Sequence, residues 1–284
     1  MAKIVLGHNG VAYRLHEGFT HAGVFHADDI FSTALLRILN PEIEISRGFK
    51  VPEDFDGIAY DIGGGEFDHH FDGSPIRDDG TPYSSFGLLW ERFGRSFFQT
   101  EESFSKIDEL LVQSIDITDC TGKKNPLSTL ISSYNLNWDS TESDTEAFNK
   151  AVSVAQQMLN EFIESCRASE RAHETLSEYE ANSSDGIIVL EKFVPWGELI
   201  SKEEPKLLVF PSQREGWNIR TLPVSHTDNS PRITLPKEWW GNKNIAEDTD
   251  GRMTFCHLSG FMGTAKDKET ALEICKELVE KTSK

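Results

Sequence analysis

Asp68-His69-His70 does not stand alone in this chain. Thr20-His21-Ala22-Gly23-Val24-Phe25-His26-Ala27-Asp28-Asp29 precedes it, and Tyr60-Asp61-Ile62-Gly63-Gly64-Gly65 lies between. Imidazole nitrogens mixed with carboxylate oxygens, without a cysteine nearby, suit Mn²⁺, Mg²⁺, Fe²⁺ or Zn²⁺ in a hydrolytic site. An Asp-His-His triplet by itself is an ordinary polar turn. Three such clusters within roughly 50 residues, each beside a strand end, point to a metal centre.

His21 and His26 flank a turn containing Gly23, and Asp28 follows two residues after His26. A strand end, a tight loop and a helix start can aim all three side chains at one place. Asp61 is suited to bridge, because one carboxylate can hold two cations about 3.5–4 Å apart. His69 and His70 are adjacent, so an extended backbone points them in opposite directions, one to metal and the other to substrate. Asp68 either ligates or orients a histidine. Asp116 and Asp119, three apart on one helical face, are alternatives for the remaining carboxylate.

These side chains need elements to carry them. Lys3 to Gly7 and Val11 to Leu15 form short strands around His8-Asn9-Gly10. Asp28 or Asp29 caps a helix that runs to about Leu39, where Asn40-Pro41 stops it. Glu42 to Arg47 and Ile58 to Ile62 read as strands, and Ser84 to Arg92 and Phe104 to Ile117 as helices. Strand–helix alternation of this kind means an α/β fold with a mainly parallel N-terminal sheet, and such sheets gather ligands at the carboxyl ends of their strands. Glycines 63 to 65 let the backbone turn sharply after Asp61.

Asp144 to about Ala181 is a long helix with an apolar stripe through Ala147, Ala151, Ala155, Phe162 and Cys166, and a charged, solvated second half. Asn182-Ser183-Ser184-Asp185-Gly186 reads as a linker. It divides the chain into residues 1–182 and a smaller α/β domain, 183–284. That second domain has strands at Ile187 to Glu191, Leu207 to Phe210, Asn218 to Val224 and Met253 to Leu258, and a closing helix at Lys268 to Lys281. His257, Ser259, Gly260 and Gly263 put donors and flexible backbone near one strand end, suited to a phosphate. Arg220, Arg232 and Lys266 are the basic residues expected around them.

Lys plus Arg number 28 against 47 Asp plus Glu, a net charge of −19, which repels long polyanions. Bound divalent cations invert the potential locally, leaving room for short oligonucleotides or small phosphates. No apolar run is long enough to span a membrane, and the N-terminus is too short in its apolar part for a signal peptide. Four scattered cysteines, with no Cys-x-x-Cys pair, suit reduced thiols in the cytoplasm.

In order, Thr-His-x-Gly-x-Phe-His-x-Asp, Asp-x-Gly-Gly, Asp-His-His, Ser84-Ser85-Phe86-Gly87-Leu88 and His257-Leu258-Ser259-Gly260-Phe261 resemble the melanocyte-proliferating-gene-one family. Its members are also called metal-dependent protein hydrolases, and they are related to the DHH phosphoesterases. The likeness runs from about Phe19 to Lys281. It implies a DHH-like catalytic domain holding two divalent ions, Mn²⁺ preferred. His21, His26 and Asp61 would hold one ion, and Asp28, Asp61, His69 and Asp116 or Asp119 the other, with His70 meeting the phosphate. The Ser-Gly-Phe stretch resembles the family's substrate-binding segment. The chain departs from the pattern at Phe71, where Gln is more usual, and at Gly263-Thr264, where Gly-Gly is. His8-Asn9-Gly10 mimics the first motif but lacks Phe-His-x-Asp after it.

The resulting expectation is a metal-dependent phosphoesterase, an exonuclease acting on RNA or short single-stranded oligonucleotides, with His70 and Asp68 in proton transfer. Hydrolysis of a small phosphate or pyrophosphate compound is the alternative within enzymes. A metal-bound, non-catalytic binding module is the alternative outside them. No His-Glu-x-x-His or Ser/Cys triad motif supports proteolysis.

Overall fold

A computed structural model describes residues 3–225 and 227–282. The chain divides into two compact units, one ending at Arg167 and the other beginning at Ala168. The first opens with an antiparallel hairpin of β1 (Lys3–Leu6) and β2 (Ala12–Leu15). Next come β3 (Glu17–His21), α1 (Ala27–Leu39), β4 (Glu44–Gly48) and β5 (Ile58–Ala59). The three strands form a parallel sheet in the order β4-β3-β5. Register aligns His21 with Gly48 and Phe19 with Ala59, so His21 and the chain leaving β5 at Asp61 share the carboxyl edge. This is the edge where parallel α/β sheets collect ligands. The strand expected over Ile58 to Ile62 is only two residues long, because the backbone turns away at Asp61 (φ 58°).

Ala27 to Leu36 of α1 are all buried, with Ile30, Phe31, Ala34 and Leu35 fully so. The helix starts earlier than its acidic pair suggests, with its cap two residues before Asp28. His26 is the N-cap, and its amide donates to Asp29 Oδ1 at 3.0 Å, the reciprocal half of a capping box.

α2 (Ser85–Phe93), α3 (Glu101–Ile107), α4 (Gln113–Thr121) and α5 (Pro126–Ser132) follow, and α2, α4 and α5 pack against α1. The single helix expected over Phe104 to Ile117 is instead α3 and α4 joined by a π-helical stretch, Asp108–Val112. Such a bulge shifts the helical phase, and here it resets which face α4 turns inward. Gly122, left-handed at φ 71°, closes α4. Trp90 is fully buried and stacks on Phe104 with ring centroids 5.7 Å apart, one anchor of this core.

α6 (Asp144–Ala181) crosses the division between the units. Ala147, Ala151, Ala155, Leu159, Ile163 and Cys166 belong to the first core. Its second half is not simply solvated: Ala172 and Leu176 are buried with Ile188, Leu190, Leu199, Leu208 and Leu222. Two apolar residues at i, i+4 are enough to give a charged helix a packed face.

The second unit continues with β6 (Ile187–Val189), β7 (Leu207–Pro211), β8 (Trp217–Thr221), α7 (Ile245–Asp248), β9 (Met253–Cys256), β10 (Met262–Ala265) and α8 (Lys268–Thr282). The sheet order is β6-β7-β8-β10-β9, with only β6 and β7 parallel. Ala271, Ile274, Cys275 and Leu278 of α8 are buried in the core of this unit. The α/β class expected from the alternation of elements is observed, and the second sheet is mixed. Among the described residues no helix is long and apolar enough to cross a membrane. The four cysteines are free, Cys120 exposed and the others buried.

Candidate metal centre

Asp61 presents one carboxylate oxygen to each of two histidines. Its Oδ2 lies 3.2 Å from His21 Nε2 at the end of β3, and its Oδ1 lies 3.1 Å from His69 Nε2. The left-handed backbone at Asp61, which aspartate tolerates better than most residues, turns this side chain along the sheet edge. Gly63 and Gly64, both at positive φ, then reverse the chain and bring the Asp-His-His triplet back.

Other carboxylates complete the cluster. Asp29 Oδ2 is 3.1 Å from His21 Nε2. Asp119 Oδ2 is 3.1 Å and Asp28 Oδ2 is 3.7 Å from His69 Nε2. His26 Nδ1 stands 3.8 Å from Asp119 Oδ1. Metal-sized groupings of donor atoms among the described residues are therefore His21 with Asp29 and Asp61, His26 with Asp28 and Asp119, Asp61 with His69 and His70, and His69 with Asp119 and Cys120. A pocket of about 200 Å³, lined by His26, Thr118, Asp119, Ser128 and Ser132 among others, opens on the second of these. That volume admits a hydrated ion or a phosphoryl group beside His26 and Asp119.

The electrostatics call for positive charge. Among the described residues no lysine or arginine pairs with Asp28, Asp29, Asp61 or Asp119. Burial, then the neighbouring carboxylates, push Asp28 well above the usual carboxylate range, and burial raises Asp29. Burial also opposes ionisation of Asp61, yet hydrogen bonds from His21 and His69 hold it at about 2. Hydrogen bonds to Asp29 and Asp61 raise His21 to about 10. Burial works against His69, but Asp119, Asp61 and Cys120 raise it to about 12. Protons on two imidazoles thus do the work a divalent cation does better. Asp28 Oδ1, buried with no hydrogen-bond partner among the described residues, is a further lone pair left unused. A set dominated by nitrogen and oxygen, with the Cys120 sulfur at its edge, fits Mn²⁺, Mg²⁺, Fe²⁺ or Zn²⁺.

The structure separates Asp116 from Asp119. Asp116 is fully buried, where it meets Arg77 Nη1 at 2.8 Å and accepts from Ser84 Oγ at 2.5 Å and the amides of Ser84 and Gly87 at 3.2 and 3.1 Å. It faces away from the histidines, and Asp119 faces them. Ser85 Oγ, one residue on from Ser84, donates to Asp28 Oδ2 at 2.8 Å. The Ser84-Ser85-Phe86-Gly87 stretch therefore anchors two acidic residues at once.

His69 and His70 do not point in opposite directions: their ring centroids are 4.1 Å apart, because residues 68–70 are irregular rather than extended. Their environments still differ. The His69 side chain is 7% exposed and that of His70 59%. Asp68 Oδ1 meets His70 Nδ1 at 2.8 Å and its amide at 3.1 Å, and Oδ2 accepts from the Gly64 amide at 2.6 Å. Asp68 thus orients His70 and stands outside the metal-sized groupings. Asp29 and Cys120 were not expected in the site. Asp29 reads from sequence as a plain helix cap, and Cys120 gives no signal there beyond following Asp119.

In the second unit, Arg220 and His257 gather at Phe261, 4.2 Å from guanidinium to ring centroid and 4.3 Å between ring centroids. Trp196 covers the Arg220 guanidinium as well, at 5.0 Å, and Arg220 Nε is buried without a hydrogen-bond partner among the described residues. Ser259 Oγ lies 2.9 Å from His257 Nδ1. Gly260, at φ 65°, locks this turn: a Cβ there would lie 2.0 Å from Trp240 Nε1. Lys266 is exposed just past β10. Two of the expected phosphate contacts are corrected. Gly263 is a buried ladder residue of β10, paired with Ile219 and Cys256, not part of a flexible loop. Arg232 spends its donors on the carbonyls of Ile200, Pro205, Pro223 and Glu203.

Comparison with known proteins adds an independent line. A family model, MYG1_exonuc, described as "Uncharacterised protein family (UPF0160)", matches residues 19–279. A protein of Mus musculus named MYG1 exonuclease is 28% identical, over 90% of this chain and 83% of its own length. The Homo sapiens protein of the same name is 27% identical over 90% and 84%. A MYG1 protein of Saccharomyces cerevisiae is 26% identical over 90% and 94%.

Proposed function

The chain belongs to the MYG1 family (UPF0160), and on that footing we propose that it is a divalent-metal-dependent phosphoesterase, an exonuclease acting on RNA or short single-stranded oligonucleotides. The observation that carries the reading is Asp61, with one carboxylate oxygen 3.2 Å from His21 and the other 3.1 Å from His69. His21, Asp29 and Asp61 would hold one ion, and His26, Asp28, Asp61, His69 and Asp119 the other, with Mn²⁺ preferred. When bound, such cations supply Lewis-acid activation of water and neutralise charge at phosphorus.

The chain's own residues do the remaining work. His70 is half-exposed, and Asp68 holds its Nδ1, leaving Nε2 to donate a proton to the leaving oxygen. Asp68 stabilises the imidazolium from which that proton leaves. Residues 1–182 would act as the catalytic domain and 183–284 as the substrate-binding domain, with Arg220, His257, Ser259 and Lys266 as the phosphate contacts. The Arg220 guanidinium, planar and held against Trp196 and Phe261, is the kind of group suited to contact with an oxyanion. A net charge of −19 favours short substrates over duplexes. The free cysteines suit a reducing compartment, the cytoplasm.

The net charge of −19, which repels polyanions, favours one further reading, hydrolysis of a small phosphate or pyrophosphate compound. A screen with Mn²⁺ against labelled RNA, short oligonucleotides and pyrophosphate separates the two. Progressive shortening of RNA from one end is expected. Release of phosphate from pyrophosphate with RNA untouched would replace the nuclease reading by the second.

A further inference from the structure

Consecutive residues of α4 hold both ring nitrogens of His69. Asp119 Oδ2 is 3.1 Å from Nε2, and Cys120 Sγ is 3.6 Å from Nδ1. The thiol donates to the backbone carbonyl of Tyr83 at 3.5 Å. With S–H committed to that carbonyl, the sulfur faces His69 as an acceptor. Nδ1 then carries the proton, and Nε2 is the nitrogen presented to Asp61, Asp28 and Asp119.

The carbonyl itself is well anchored. The Tyr83 ring lies under the Arg77 guanidinium at 4.0 Å, its amide donates to Pro75 O at 3.2 Å, and the next amide, of Ser84, donates to Asp116 Oδ1 at 3.2 Å. We propose that Cys120 is a positioning residue of the metal centre: its sulfur fixes the orientation and tautomer of His69, and its exposure makes metal uptake sensitive to thiol reagents. The inference rests on the metal-centre reading above.

Histidine ligands ordinarily donate their second N–H to a carboxylate or a carbonyl. Here a carboxylate would add negative charge to a site already holding Asp28, Asp61 and Asp119. A neutral sulfur orients the ring without that cost. The other three cysteines are buried, so a thiol reagent on the folded chain is directed to Cys120.

The test measures Mn²⁺ affinity of the full chain by titration calorimetry, with no substrate present. Cys120→Ala should weaken binding by about 10–100-fold, the usual cost of losing such a partner, and Cys120→Ser should restore most of it. N-ethylmaleimide, whose alkene adds the sulfur at one carbon and the proton at the other, should weaken binding in the wild type and leave Cys120→Ser unchanged. Wild-type affinity in Cys120→Ala, or in the alkylated wild type, would overturn the role given to Cys120 while the metal centre stands. A wild type that takes up no Mn²⁺ would overturn the metal centre, and this inference with it.

Discussion

Replacing Gly87 with alanine tests how the second layer of the site is built. A Cβ at Gly87 would sit 2.1 Å from Asp116 Oδ2 and 2.7 Å from its Cγ and Oδ1. The carboxylate has nowhere to retreat, since Oδ1 accepts from Ser84 and Gly87 and Oδ2 meets Arg77 at 2.8 Å. Displacing it breaks a buried ion pair, a loss of about 3–5 kcal/mol. Alanine recovers about 1 kcal/mol over glycine within a helix, leaving a net destabilisation of about 2–4 kcal/mol. For a chain of this size that lowers Tm by roughly 4–16 °C. Thermal unfolding followed by circular dichroism reads the shift. In an Asp116→Ala background the same Gly87→Ala change should turn neutral or stabilising, because the clash is gone. A Gly87→Ala single variant as stable as wild type would refute the packing argument.

His70→Ala should keep its metal, measured by elemental analysis, while turnover falls by about 10²–10⁴-fold; metal loss equal to that of His69→Ala would show the two roles to be confused. Arg220→Gln should weaken binding of a nucleoside monophosphate, read by calorimetry in EDTA, and leave Mn²⁺ content unchanged; undiminished nucleotide affinity would remove Arg220 from the substrate site. The pH dependence of the metal-free protein has a defined sign. Folding raises His21 from its ordinary value near 6.5 to about 10, so its stabilising contribution is complete below about 6.5 and lost as pH rises through about 10. Tm of EDTA-treated protein should therefore fall across that window, and His21→Asn should flatten the fall. A Tm that rises there would contradict the assigned ion pairs.

Much of the first unit's site is legible in the sequence because metal donors are few in kind and sit on loops that follow strands. His21, His26, Asp28, Asp61 and His69 are each found beside the cluster. Three features escape such reading for physical reasons. Asp116 and Asp119 differ only in which side of α4 they occupy, and Arg77, distant in sequence, decides it. The side-by-side rings of His69 and His70 depend on the irregular backbone at 68–70, which residue types alone do not specify. In the second unit β10 is short and holds Gly263 and Thr264, so it lacks the apolar alternation of a strand although it lies inside the sheet. Arg232 reads as a phosphate contact until its four carbonyl partners are seen.

Metal content of Asp61→Ala, measured by elemental analysis after equilibration with Mn²⁺ and removal of free ion, tests the central claim most directly. About two ions per wild-type chain are predicted, as for a carboxylate-bridged pair. Loss of nearly all metal is predicted for Asp61→Ala, whose carboxylate serves both histidines, with a smaller loss in His21→Ala. Full metal content in a folded Asp61→Ala variant would contradict the account.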